Sequence, residues 1–420
     1  MDKLVIEGGK PLKGELVVSG SKNAVLPIMA ASLLTEDEVI IRNVPRLRDT
    51  QTMLKLLKSL GKNVEWVDDQ VIIRQKGKLN TVADYNLVST MRGSFCVLGP
   101  LVGKCRKAKV SLPGGCVIGI RPVDLHIKGL KALGTKIEIE GGYVVATTGG
   151  LKGAHIYLGG VFGSSVLATA NVMMAAVLAR GETIIESAAC EPEIEDLTNM
   201  LIGMGANIKG IGSPRLVING VKKLKGIDYK VIPDRIEAGT YILLAAATRS
   251  QIGIKGAVLS HLMAVVDKLQ QAGIRVYEEN KTIKIQPCKT IKPVSITTYP
   301  YPGVPTDLQA QFLTLFSVAE GVTIINDKVF PDRFIHIAEL NRMGANIQRE
   351  GSNAIVQGVK QLFGAPVMAS DLRASAALVI AGLAAKGRTE IHRLYHLDRG
   401  YENIDEKLKK IGAVVYREKE

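Results

Sequence analysis

The sequence predicts an α/β protein made of six copies of one unit of roughly 70 residues, three copies to each of two domains. Three observations carry this. First, a short signature recurs along the chain: Leu57, Leu60, Gly61; Leu130, Leu133, Gly134; Leu201, Met204, Gly205; Leu269, Ala272, Gly273; Leu340, Met343, Gly344; Leu408, Ile411, Gly412. Its closing glycines are separated by 73, 71, 68, 71 and 68 residues, so six units account for all 420 residues. Second, a short alternating stretch follows the glycine. Third, each unit holds a second apolar segment rich in small residues. Chance similarity among ordinary helix ends is a poor account of six occurrences at near-constant spacing.

Each element has a local reason. Apolar residues at helical spacing that end in glycine fit a helix closed by a left-handed cap. The stretches 63–67 and 136–140 alternate polar and apolar residues, the pattern of a half-buried strand. The segments 24–34, 167–179 and 374–385 are apolar nearly all round, which predicts buried helices. The period is too long for the common solenoids and long enough for two helices with several strands. Two domains of three units leave a cleft, the usual place for a ligand.

Composition narrows the function classes. The chain is 46% hydrophobic and 22% charged, the range of a globular protein with a large core. Its formal charge is +14, but no run of five Lys or Arg occurs, and aromatics at 5% do not interleave with the cations. That favours small anionic substrates over nucleic acid. The N-terminus runs straight into a strand-like pattern, so no signal peptide is expected. The longest apolar run, 166–179, falls short of the ~18 residues of a membrane span. The five cysteines, at 96, 105, 116, 190 and 288, form no CxxC pair. Reduced thiols in a cytoplasmic protein are expected, with no disulfide framework and no zinc site.

No GxxxxGK[ST] and no GxGxxG is present, which removes support for a P-loop ATPase or an ordinary dinucleotide-binding dehydrogenase. The most unusual segment is 112–126, Leu-Pro-Gly-Gly-Cys-Val-Ile-Gly-Ile-Arg-Pro-Val-Asp-Leu-His. Pro113 and the paired glycines make a tight turn, and a thiol at its tip, Cys116, can reach a ligand. Arg121 nearby would favour thiolate. A small residue filling a turn accounts for Cys116 equally well on residue type alone; the other four cysteines read as structural.

A second element, Ser21-Lys22-Asn23, opens a small-residue helix and makes an anion site, or else a solvated lysine after a turn. A third, Asp307, follows a proline-rich turn at a helix start, as a helix cap or as a carboxylate acting as general base. Further cations fall at comparable places: Arg92, Arg333, Arg373 and Arg399. Each has an ordinary alternative as the partner of a nearby carboxylate, with Asp332, Asp371 and Asp398 available. Taken together, Lys22, Arg92 and Arg121 in one half and Arg333, Arg373 and Arg399 in the other suit an anionic ligand that draws two domains together.

These segments resemble those of the UDP-N-acetylglucosamine 1-carboxyvinyltransferases, or enolpyruvyl transferases. The stretch 113–126 is the specific one. Support comes from Ser21-Lys22-Asn23-Ala24, Glu191-Pro192-Glu193-Ile194, Pro233-Asp234-Arg235-Ile236-Glu237, Pro305-Thr306-Asp307, Asp371-Leu372-Arg373 and Asp398-Arg399-Gly400-Tyr401-Glu402. The resemblance runs the whole length. It implies two inverted α/β barrels, each of three βαβαββ-type repeats with helices inside and sheets outside, and an active site in the interdomain cleft. It places one barrel at 22–229 and the other at 1–21 with 230–420.

The implied reaction moves the enolpyruvyl group of phosphoenolpyruvate to the 3′-hydroxyl of UDP-N-acetylglucosamine and releases phosphate. This is the first committed step of peptidoglycan synthesis, run by addition and elimination without metal or organic cofactor. The resemblance makes Cys116 the general acid at the phosphoenolpyruvate methylene, able to form a covalent adduct with that ligand. Lys22, Asn23, Arg121 and Arg399 would hold phosphoenolpyruvate, and Asp307 would be the base at the sugar hydroxyl. Arg92, Arg121, Pro122, Val123, Asp124, Leu125, Ser164, Ser165, Val166 and Val329 would contact the UDP-sugar. Arg333, Asp371 and Arg373 would line the closing face of the second domain.

One departure stands out. Where the family's turn commonly reads Ser-Val-Gly-Ala-Thr, this chain has Ser165-Val166-Leu167-Ala168-Thr169. That leaves room for a paralogue with altered affinity or acceptor. The rival within the superfamily, 5-enolpyruvylshikimate-3-phosphate synthase, lacks the cysteine loop. A basic nucleic-acid-associated protein would show clustered cations and no special thiol. A binding protein that has lost catalysis would lack Cys116 or Asp307.

Overall fold

In the computed structural model, which describes residues 2–114 and 123–420, the glycine that closes each repeat signature lies in the left-handed region. Its φ is 95° at Gly61, 90° at Gly134, 103° at Gly205, 88° at Gly273, 91° at Gly344 and 89° at Gly412. A side chain there would strain the backbone, which is why glycine ends each helix. The preceding helices, among them Arg48–Ser59, Asp124–Ala132 and Met263–Gln271, bury one face and leave the other in water.

The small-residue segments form the second helix class. Lys22–Ala31, Val166–Ala176, Arg235–Ala247, Gln309–Phe316 and Leu372–Ala384 are buried along nearly their whole length. Side chains as small as Ala and Ser let these helices approach closely. Gly99, in the Leu98–Cys105 helix, shows the limit: a Cβ there would lie 2.0 Å from the backbone oxygen of Asn171.

Among the described residues, six four-stranded sheets accompany the helices. Each contains one parallel pair and two antiparallel pairs, as expected for a βαβαββ unit whose first strand returns beside the second through a buried helix. The chain divides into two compact units. One runs from Gly20 to Ile232; the other comprises residues up to Ser19 together with Pro233–Glu420. Each has its own hydrophobic core and three of the sheets. In the terminal unit the helices Arg235–Ala247, Gln309–Phe316 and Leu372–Ala384 pack on one another.

Three sheets are completed across the sequence. The strand Asp2–Gly8 lies between Gly387–His392 and Val414–Lys419, and so finishes the last repeat. Lys13–Val17 pairs in parallel with Gln251–Lys255, and Ile227–Lys230 with Val39–Arg42. Among the described residues no helix is long and apolar enough to cross a membrane.

Candidate active site

In the unit from Gly20 to Ile232, the anion-site motif begins a helix as expected. Ser21 caps Lys22–Ala31 by accepting from the Ala24 N–H. The Lys22 ammonium lies 3.0 Å from Asp49, a 3%-exposed carboxylate in the first turn of Arg48–Ser59. Sequence reasoning passes over Asp49, because an acid in a first helical turn needs no further explanation than the helix dipole. Arg92 opens the short helix Arg92–Val97, Asp124 opens Asp124–Ala132 with Val123 as its cap residue and Leu125 following, and Ser165 caps Val166–Ala176. Ser164 immediately precedes that cap. Leu167 is helical, a conformation leucine adopts freely, and its side chain packs on the core of this unit. The glycine of the family pattern is therefore not needed here for backbone reasons.

Cys116, Arg121 and Pro122 lie outside the described residues. Three other thiols of this unit are described. Cys96 is fully buried, and burial pushes its thiol up to about 12 against the opposing pull of Arg92. Burial also raises Cys105 and Cys190. These thiols stay protonated and unreactive near neutrality.

In the terminal unit Asp307 is not a helix cap. It sits in the single turn Thr306–Leu308 ahead of Gln309–Phe316, and its carboxylate is spent on two arginines. Arg333 donates to Oδ1 at 2.8 Å and Arg373 to Oδ2 at 2.9 Å. The carboxylate side chain is 24% exposed, whereas Arg333 and Arg373 are 6% and 2% exposed. Two buried cations thus present one partly accessible anion. Burial opposes both guanidinium charges, yet Asp307 and Asp371 raise the Arg333 pKa, and Asp307, Tyr401 and Asp234 raise that of Arg373.

Asp371 caps Leu372–Ala384 through the N–H groups of Arg373 and Ala374 and lies 3.7 Å from Arg333. Burial would raise its pKa, but Arg333 and the two backbone donors hold it below the usual value. The Tyr401 hydroxyl, 3.3 Å from Arg373, is tied to Thr240 at 2.9 Å and to Gln311 at 3.4 Å.

For Arg333 and Arg373 these contacts move the carboxylate pairing to Asp307. Asp332 pairs with Arg349 and Asp398 with Arg417, each at 2.8 Å, and Asp371 serves Arg333 and its helix cap. The reason is distance through space: chain neighbours at a turn point to different faces. Arg399 ends the turn Leu394–Arg399.

Asp327 is a further residue that sequence reasoning misses. It is fully buried and accepts from Thr298 and Thr306, each at 2.7 Å, and from the N–H groups of Val329 at 3.0 Å and Phe330 at 2.8 Å. It thereby ties the turn holding Asp307 to the segment holding Val329 and Arg333. No motif marks it, since its partners come from three separate segments.

His336 is 1% exposed, and among the described residues neither ring nitrogen has a hydrogen-bond partner. Burial, reinforced by Arg333 and opposed by Asp371, holds its pKa down at about 4. An unfolded histidine takes up its proton near 6.5, so between these values the unfolded chain binds more protons and stability falls as pH falls. Replacing His336 by leucine removes this component at small cost, because no hydrogen bond is lost. Urea unfolding at about pH 7 and about pH 5 should show the parent losing about 1 to 2 kcal/mol more than the variant. Equal losses would show that His336 takes up its proton in the folded protein as readily as in the unfolded chain.

Comparisons with known proteins place the chain and its fold. The family described as EPSP synthase (3-phosphoshikimate 1-carboxyvinyltransferase) matches residues 6–408. A UDP-N-acetylglucosamine 1-carboxyvinyltransferase of Methylacidiphilum infernorum is 52% identical over 99% of this chain and 99% of its own. One from Lawsonia intracellularis is 52% identical over 100% of both chains. Among solved structures, the enolpyruvyl transferase NikO from Streptomyces tendae superposes with a TM-score of 0.89 at 24% identity, covering 99% of this chain and 98% of that one, which shows the shared fold. With the repeat fold and full-length identity of this degree, the chain belongs to the UDP-N-acetylglucosamine 1-carboxyvinyltransferase family, within the wider EPSP synthase family.

Proposed function

We propose that this chain transfers the enolpyruvyl group of phosphoenolpyruvate to the 3′-hydroxyl of UDP-N-acetylglucosamine with release of phosphate, committing the sugar to peptidoglycan synthesis. The observation that carries the reading is Asp307. It is a partly accessible carboxylate held by two buried guanidiniums, in a chain 52% identical over its full length to proteins named for this activity.

In the addition step Asp307 takes the proton of the sugar hydroxyl as its oxygen bonds to C2 of phosphoenolpyruvate, and Cys116 gives a proton to the C3 methylene. Elimination returns a C3 proton to a base and expels phosphate, restoring the double bond. Lys22, Asn23, Arg121 and Arg399 bind the phosphate and carboxylate, with Lys22 oriented by Asp49. Arg92, Arg121, Pro122, Val123, Asp124, Leu125, Ser164, Ser165, Val166 and Val329 bind the UDP-sugar. Arg333, Asp371 and Arg373 set the Asp307 carboxylate. Fixed cations of this kind stabilise charge as it develops, without reorganising during the reaction. The proposed setting is the cytoplasm, the product serving cell-wall growth and hence shape and division.

Purified protein should release phosphate from phosphoenolpyruvate only when UDP-N-acetylglucosamine is added. Release with shikimate 3-phosphate, and none with the UDP-sugar, would overturn the assignment in favour of the shikimate-pathway reaction.

A further inference from the structure

Asn171 is fully buried in the Val166–Ala176 helix, and its amide meets three groups. Its Oδ1 accepts from the Gly99 N–H at 2.6 Å. Its Nδ2 donates to the Phe95 carbonyl at 2.9 Å. The same Nδ2 lies 2.8 Å from Nδ1 of His126, which is 3% exposed. The backbone partners leave no freedom in orienting the amide: an N–H can only donate and a C=O can only accept. The second hydrogen on Nδ2 therefore points at His126. A nitrogen facing that donor must offer a lone pair.

We infer that Asn171 is a positioning residue that locks His126 as the neutral tautomer with its proton on Nε2, and clasps together the three segments that carry the UDP-sugar contacts. Phe95 belongs to the turn that Arg92 opens. His126 is in the first turn of the helix that Asp124 opens. Asn171 itself lies in the helix that Ser165 caps. The Phe95 ring meets the His126 ring edge-on, with centroids 5.1 Å apart, so the imidazole is also held from the side. Gly99 is part of the same device, since the close approach that brings its N–H to Asn171 excludes a Cβ. A buried amide with both donors and its acceptor engaged can be exchanged for nothing of the same shape. Aspartate would set an oxygen against both the Phe95 carbonyl and the unprotonated Nδ1.

The tautomer stands on geometry alone; the acceptor-side consequence rests on the proposed function. In protein labelled with 15N at its six histidines, the His126 signals are those lost in H126Q. At about pH 7 they should report the neutral ring protonated at Nε2. In N171D the same ring should become doubly protonated, drawn by the new carboxylate. An Nδ1–H tautomer, or an imidazolium in the parent, would overturn the inference whether or not N171D folds. In steady-state assays N171D should raise the KM for UDP-N-acetylglucosamine by about tenfold or more, with a much smaller change for phosphoenolpyruvate. Equal changes for both substrates, or a fall in kcat alone, would remove the positioning role. A parent inactive with the UDP-sugar would sink the functional reading and leave the NMR test in force.

Discussion

Replacing Asp307 by asparagine is expected to lower kcat by about 10²- to 10⁴-fold, the range for losing a positioned general base. The shape of the side chain is kept, so substrate should still bind and the fall should appear in kcat more than in either KM. A second effect follows from the ion pairs. Arg333 and Arg373 are almost fully buried and both pair with this carboxylate. A neutral amide leaves two guanidiniums with weaker compensation. Removing one partner of a fully buried pair costs about 3–5 kcal/mol, and the 24% exposure of Asp307 puts the expected loss below that range. Phosphate release under saturating substrates measures the first effect and urea unfolding the second. Full activity in folded D307N would show that another group takes the hydroxyl proton.

Modification of Cys116 by an epoxide or a maleimide is expected to abolish turnover, and ligand bound beforehand should change the labelling rate. Burial disfavours reaction at three of the other thiols. Cys96, at about 12, should react last; Cys105 and Cys190 are also raised and should lag. Peptide mass mapping against residual activity decides the matter. Protein fully labelled at Cys116 that retains full turnover would eliminate it as the proton donor to the methylene.

Much of the local architecture was legible before any coordinates. The six glycines, the amphipathic helices ahead of them and the alternating strands after them all follow from short-range periodicity and from the cost of a side chain at positive φ. The helix over 24–34 is found as Lys22–Ala31 followed by the turn Ser32–Leu34, and that over 374–385 as Leu372–Ala384. Candidate residues at helix starts were also legible, because caps and anion sites use the same small set of residue types. Their partners were not. Asp49 beneath Lys22, Asp327 behind Asp307 and Asn171 behind His126 each act through a contact from a distant segment, and nothing in their own neighbourhood distinguishes them from ordinary polar residues.

By itself the sequence determined the repeat, its two helix classes, the family and the residue types offered to an anionic ligand. These are properties of neighbours along the chain, or of a pattern shared over its full length. The tertiary structure alone decided that the strand Asp2–Gly8 completes the last repeat, and that Lys13–Val17 joins Gln251–Lys255. It decided too that Asp307, and not the nearer Asp332 or Asp371, is the partner of both Arg333 and Arg373 at hydrogen-bonding distance. An unpaired strand edge can accept any strand of matching register, and a buried guanidinium pairs with whichever carboxylate lies within reach in space. Both choices depend on distances that exist only once the chain has folded.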